Sequence, residues 1–170
     1  MLGFAQFWVQ KLHGAHFFHH HELVLKGAGG MPRILLAEDN PADVYLIRMA
    51  LEQHGVNFPL QLASDGAEVL RIIDQQESLA ETELSLIVLD LNLPRHDGIE
   101  ILERLRGTER LTLVPVIVLT SSDSPRDRNL ANGLGTARFL RKPSNLEEFL
   151  SLGAVFKELL GQAKAQSNGI

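Results

Sequence analysis

Short apolar runs recur along this chain, and each stops at a distinctive polar group. Ile34-Leu35-Leu36-Ala37 ends at Glu38-Asp39, and Leu60 to Ala63 leads to Asp65-Gly66. Leu86-Ile87-Val88-Leu89 ends at Asp90, and Pro115-Val116-Ile117-Val118-Leu119 ends at Thr120-Ser121-Ser122. Uninterrupted apolar runs suit strands buried on both faces, as in a parallel sheet covered by helices. Arg138-Phe139-Leu140-Arg141 is more polar, reads as an edge strand, and runs into Lys142-Pro143.

Between the runs the apolar spacing is helical. Asn40-Pro41-Ala42-Asp43 is a helix start: Asn caps, Pro fits the first turn and Asp43 falls three residues after the cap. Val44, Ile47 and Leu51 form the inner face of that helix, which stops near His54-Gly55. The second helix follows Asp65-Gly66 with Val69, Leu70 and Ile73 inward, and a polar connection runs from Gln75 to Glu83. The third starts near Gly98 with Ile101, Leu102 and Leu105 inward. Pro125 opens a fourth, with Leu130, Ala131 and Leu134 as its apolar side. Ser144 and Glu147 form a capping box for the last, whose stripe is Leu146, Phe149, Leu150, Phe156 and Leu160. Strict alternation of five strands and five helices predicts an α/β fold: a doubly wound parallel sheet with right-handed crossovers.

Length and composition narrow this picture. A chain of 170 residues accommodates one domain with a full core, here residues 31–161. Residues 1–30 read as a poorly ordered extension: aromatic residues and His19-His20-His21 precede a glycine-rich end, and Met31 suits a natural start. Three adjacent histidines on a tail point different ways, which makes a poor metal site. Residues 162–170 read as a frayed tail. The net charge of −5 and the lack of a Lys/Arg cluster argue against nucleic-acid binding. No apolar run is long enough to span a membrane. Zero cysteines exclude disulfides, thiolate chemistry and Cys-based zinc sites and are compatible with a reducing compartment; the cytoplasm is the expected location.

The polar groups that end the runs are the candidate chemistry. In open α/β sheets ligands bind beyond the carboxyl ends of the strands, at the topological switch point. Glu38, Asp39, Asp90, Thr120 and Lys142 all fall there. Packed carboxylates repel one another, and a hard divalent cation such as Mg²⁺ resolves that repulsion. Lys142 adds a positive point charge and Thr120 a small donor. An Asp carboxylate is a competent phosphoryl acceptor, and a metal with a lysine supplies the charge neutralisation that such transfer needs. Taken singly, each feature has an ordinary structural reading as a turn, a cap or a strand end. His54 and His96 read as helix-end and surface residues.

Four segments carry a resemblance: Ala37-Glu38-Asp39-Asn40-Pro41-Ala42-Asp43, Val88-Leu89-Asp90-Leu91-Asn92-Leu93-Pro94-Arg95-His96-Asp97-Gly98, Val118-Leu119-Thr120-Ser121-Ser122 and Phe139-Leu140-Arg141-Lys142-Pro143. In order and spacing, over about residues 33–161, they resemble the receiver domains of two-component response regulators, most of all the stand-alone regulators associated with bacterial phytochrome kinases. The resemblance implies a flavodoxin-like sheet with strand order 2-1-3-4-5. It implies Asp90 as the phosphoacceptor for a sensor histidine kinase, and Mg²⁺ held by Glu38 (largely through water), Asp39, Asp90 and the backbone carbonyl of Asn92. It implies Thr120 and Lys142 on the phosphoryl oxygens, a cis Lys142-Pro143 bond, Phe139 as the switch aromatic, and Asn92 and Ser122 tuning hydrolysis. A phosphorylation-linked homodimer through helix four, strand five and helix five, and kinase docking on helix one, follow from the same resemblance. With no DNA-binding or catalytic pattern after the last helix, the expected output is a protein contact and not an enzymatic turnover.

Two other readings compete. A phosphohydrolase of the haloacid dehalogenase type also uses a strand-end Asp, Mg²⁺ and a lysine, but it needs D-x-D after its first strand. Here Asp90 follows the third, and Asn92 stands where the acid would be. A scaffold that kept the fold and lost phosphorylation would have no reason to retain all five site residues.

Overall fold

The computed structural model describes residues 32–78 and 83–167, with side chains to 162. The extension at 1–30 lies outside the described residues. The elements are β1 (Arg33–Ala37), α1 (Pro41–Gln53), β2 (Leu60–Ala63), α2 (Gly66–Glu77), β3 (Leu84–Leu89), α3 (Gly98–Gly107), β4 (Val116–Thr120), α4 (Pro125–Gly133), β5 (Arg138–Arg141) and α5 (Leu146–Ser167). All strand pairs are parallel and the order is β2-β1-β3-β4-β5, the expected flavodoxin-like arrangement.

Alternation along the central strands divides the core into two layers. Leu35, Ile87, Leu89, Val116 and Val118 face α2, α3 and Ala131 of α4. Ile34, Leu36, Leu86, Val88, Ile117 and Leu119 face α1 and α5. Because β1, β3 and β4 are buried on both sides, they contain no polar residue until their ends, apart from Arg33 and Ser85 at the starts. The strand ends are then tied side by side: Asp90 N–H donates to Ala37 O (3.0 Å), Glu38 N–H to Ala63 O (2.9 Å) and Lys142 N–H to Thr120 O (2.9 Å). Five sequence-distant polar residues thereby reach one edge.

Two glycines permit close approaches. A Cβ at Gly153 of α5 would overlap the Ala50 carbonyl and the His54 ring of α1, so the contact between these helices depends on its absence. A Cβ at Gly98 would overlap the Leu91 backbone, so this glycine lets α3 start directly beneath the loop that follows Asp90.

The structure departs from the sequence reading in several places. Helix α2 reaches Glu77, absorbing the start of the connection expected from Gln75; buried Ile72 and Gln76 extend its inner face. Leu130 and Leu146, read as inward, are exposed (41% and 54%), while Leu152 and Leu159 take inward positions on α5. Asn145, not Ser144, caps α5: its Oδ1 accepts from Glu148 N–H at 2.9 Å. Helix α5 continues to Ser167, across most of the expected tail. A single 3₁₀ turn, Glu109–Leu111, follows α3. It is held by Arg106, whose guanidinium donates to the carbonyls of Leu111, Thr112, Val114, Leu134 and Gly135 over 3.0–3.3 Å.

Gly153→Ala is expected to destabilise the protein by about 2 kcal/mol through overpacking. Gly133→Ala, where an added Cβ meets nothing within 4 Å, is expected not to destabilise it. Urea denaturation of the two variants checks both expectations.

Candidate functional site

The site forms where β1, β3, β4 and β5 end. Glu38 and Asp90 are each 4% exposed and Thr120 is fully buried. Burying carboxylates costs free energy unless they are paired and hydrogen-bonded. The structure meets that demand with one cation. Lys142 Nζ lies 2.7 Å from Glu38 Oε2, 2.7 Å from Asp90 Oδ2 and 2.8 Å from Asp43 Oδ2. An ammonium has three N–H donors, and all three have a carboxylate here. The second oxygen of each buried acid accepts from backbone: Glu38 Oε1 from Asn40 N–H (3.1 Å) and Asp90 Oδ1 from Asn92 N–H (2.9 Å).

Burial pushes the Glu38 carboxyl above its ordinary value, Lys142 and the Asn40 amide pull it back only in part, and Asp90 adds repulsion. Burial also works against the Lys142 charge, but hydrogen bonds to Asp43, Asp90 and Glu38 outweigh it and hold the ammonium above its ordinary lysine range. Burial sets the first direction, and the three surrounding carboxylates set the second.

Asp39 is exposed at the rim. It joins Glu38 and Asp90 in a group whose carboxylate oxygens all lie within 4.8 Å of one another. Oxygens across an Mg²⁺ octahedron stand about 4.2 Å apart, given bonds near 2.1 Å. The all-oxygen donor set therefore fits a hard divalent cation after a small closure.

Thr120 Oγ1 accepts from Asn92 Nδ2 (3.1 Å) and from Ser122 N–H (3.2 Å). Asn92 also donates to Ser121 Oγ at 3.3 Å. Asn92 thus bridges the loops after β3 and β4. Ser122 is engaged elsewhere. Its hydroxyl donates to Asp127 Oδ2 (3.1 Å) and accepts from Ser124 N–H (3.2 Å), and Ser124 caps α4. Phe139 is half-buried against the α2–α3 side of the core, and the Arg128 guanidinium sits 4.9 Å from its ring centroid.

The structure therefore brings together Glu38, Asp39, Asp90, Asn92, Thr120 and Lys142, and sets Phe139 and Ser122 beside them. One expectation fails: no peptide bond among the described residues is cis, so Lys142-Pro143 is trans. Trans is the lower-energy isomer by about 0.5–1 kcal/mol, and with it Lys142 already reaches all three carboxylates. The sequence pattern marks Asp43 only as a helix-start acid, yet its place in the first turn of α1 also aims it at Lys142.

Lys142→Met leaves two buried carboxylates without a counter-charge, and about 3 kcal/mol of stability is expected to be lost at neutral pH in EDTA. The Lys142 pKa is raised on folding, so its contribution is full below the ordinary value of 10.5 and is lost as pH rises beyond it. From neutral pH the stability gap between wild type and Lys142→Met should stay flat up to that value and narrow above it. Urea melts across pH measure the gap.

Comparison with known proteins adds an independent line. Residues 34–152 match the response regulator receiver domain. The chain is 36% identical over 115 residues to the probable methanogenesis regulatory protein FilR2 of Methanothrix harundinacea, spanning 68% of this chain and 74% of that one. It is 32% identical over 120 residues to response regulator Rcp1 of Synechocystis sp., spanning 70% and 82%. The Mn²⁺-bound structure of Rcp1 superimposes with a TM-score of 0.62, at 29% identity over 82% of this chain and 97% of that one. The phosphorylated cyanobacterial phytochrome response regulator RcpA superimposes with a TM-score of 0.68, at 31% identity over 77% and 94%. Against a DNA-binding regulator of Synechocystis sp. the chain spans 47% of the relative's length. Proteins of this type are phosphorylated by sensor histidine kinases, bind divalent cations at an acidic site and are not in general classical enzymes. A shared fold, a cation-ready cluster of acids at the strand ends and a match over most of the domain lead to one conclusion: the chain belongs to the response regulator receiver family.

Proposed function

We propose that this protein is a response regulator whose receiver domain takes a phosphoryl group on Asp90 from the phosphohistidine of a sensor kinase. The observation that carries this reading is the contact of the Asp90 carboxylate with Lys142 at 2.7 Å, inside a group of acids able to share a cation. In the transfer, an Asp90 oxygen forms the new O–P bond, the N–P bond of the kinase histidine breaks, and the imidazole leaves with the bonding pair. Bound Mg²⁺ would supply charge neutralisation between carboxylate and phosphoryl oxygens. Glu38, Asp39, Asp90 and the Asn92 carbonyl are the groups that would hold it. The existence of an Mn²⁺-bound form of Rcp1 supports the binding of a divalent ion.

Lys142 and Thr120 then bind the new oxygens. Phosphorylation adds negative charge and acceptors, and it shifts the conformational equilibrium only by as much as these contacts differ between the two states. As the Thr120 hydroxyl turns toward the phosphoryl group, Phe139 repacks and its stacking with Arg128 changes. The signal thus passes to α4, β5 and α5, the face proposed for a phosphorylation-linked homodimer. Likeness to Rcp1 and RcpA supports a phytochrome-type kinase as the partner, docking on α1. Among the described residues no helix is long and apolar enough to cross a membrane, in keeping with a cytoplasmic phosphorelay.

Incubation with acetyl phosphate tests the reading by intact mass. A Mg²⁺-dependent adduct of one phosphoryl group is expected on wild type and none on Asp90→Asn. An adduct that persists in Asp90→Asn, or none at all where a known receiver is labelled, contradicts it. The decay of the adduct is expected to change severalfold in Asn92→Ala, since this side chain bridges to Thr120. Ser122→Ala should change it less, since that hydroxyl is committed to the α4 cap. Timed mass spectra after acetyl phosphate removal measure both rates.

A further inference from the structure

Asp43 has no place in the cation-binding group, yet it is one of the three carboxylates on Lys142. Its side chain is 18% exposed, that of Lys142 is 12% exposed, and Oδ2 lies 2.8 Å from Nζ. Each oxygen of the two buried acids beside it already accepts one hydrogen bond. Glu38 Oε1 and Asp90 Oδ1 accept from backbone amides, while Glu38 Oε2 and Asp90 Oδ2 accept from Lys142. A divalent cation that binds Glu38, Asp39 and Asp90 shares two of its carboxylates with the Lys142 ammonium, and two cations drawn to the same carboxylates repel each other. An ammonium released without a partner in this half-enclosed place would lose its compensation and regain little water.

We propose that Asp43 is a positioning residue that retains Lys142 while the cation displaces it from Glu38 and Asp90. Asp43 meets the requirements. It is close enough to hold the ammonium alone, and it lies outside the group of oxygens that share a cation. It is carried by the first turn of α1, whose Asn40 cap fixes the helix start. With Lys142 pivoting on Asp43, metal entry exchanges one cation for another at the buried acids without stranding a charge. The lysine also stays within reach of a group later attached to Asp90. The proposal rests on the Mg²⁺-dependent reading above and deepens it.

The test is Mg²⁺ titration by calorimetry on four unphosphorylated proteins: wild type, Asp43→Asn, Lys142→Met and the double variant. Asp43→Asn should weaken Mg²⁺ binding roughly five- to tenfold, the range expected when contacting charged groups are coupled. Lys142→Met should tighten it, and in that background Asp43→Asn should have less than half its effect on a logarithmic scale. Asp43→Glu should restore most of the affinity. If the effects of the two substitutions are additive, Asp43 acts only as a distant negative charge and the proposal is overturned. Side-chain ammonium NMR of wild type and Asp43→Asn covers the case in which a Lys142 variant does not fold. The Lys142 ammonium signal should survive Mg²⁺ saturation in wild type and be lost in Asp43→Asn; loss from both overturns the proposal. Wild type that binds no Mg²⁺ at all contradicts the receiver reading itself and removes this proposal with it.

Discussion

One ammonium group compensates three carboxylates at the carboxyl end of the sheet. Lys142 holds Glu38, Asp43 and Asp90 within 2.8 Å, and Asp39 stands uncompensated by it at the rim. The cluster carries an excess of negative charge, in a place where burial makes charge expensive. Burial, with a smaller push from Asp90, raises the Glu38 carboxyl, and the excess of negative charge leaves a site poised to take another cation. A receiver site must change its charge repeatedly, and a fully neutralised cluster would have little reason to bind an ion.

The fold supplies this arrangement through strand ends and little else. Parallel pairing brings the ends of β1, β3, β4 and β5 to one edge, and the order β2-β1-β3-β4-β5 puts β1 at the switch point. Past the starts of β1 and β3, the strands β1, β3 and β4 are apolar as far as the helices cover them, and the polar group follows immediately. The two core layers fix strand register, and register fixes which side chain reaches the cleft: a slip of one residue would turn Asp90 to the other face. Gly98 lets α3 start against the Leu91 backbone, which keeps the Asp90–Asn92 loop tight enough for the Asn92 amide to bond Asp90 Oδ1.

Much of this was legible in the sequence because buried parallel strands leave an unmistakable mark. Leu86 to Leu89 has no other reading so short and so apolar, and its stop at Asp90 is abrupt. The edges were harder. Helical spacing puts Leu130 and Leu146 inward because a leucine at such a position is usually core, yet burial is a one-way rule and surfaces remain rich in apolar atoms. Ser144 and Asn145 are both good caps, and only the docking of α5 chooses between them. The Arg106 staple was invisible, since its partners are backbone carbonyls that carry no sequence signal. Asp43 was visible but under-read: capping explained it well enough to hide its second partner, ninety-nine positions away. The Lys142-Pro143 isomer turns on a free-energy difference of about 0.5–1 kcal/mol, smaller than residue patterns resolve.

A crystal structure of the protein with Mg²⁺ and trifluoroberyllate, a stable mimic of an acyl phosphate, would show the site in its charged state. The beryllium is expected on an Asp90 oxygen, Mg²⁺ among Glu38, Asp39 and Asp90, and both Thr120 Oγ1 and Lys142 Nζ on the fluorines. A structure in which Asp90 stays unmodified and bound to Lys142 at saturating concentrations, or in which the adduct forms on another carboxylate, would contradict Asp90 as the phosphoacceptor.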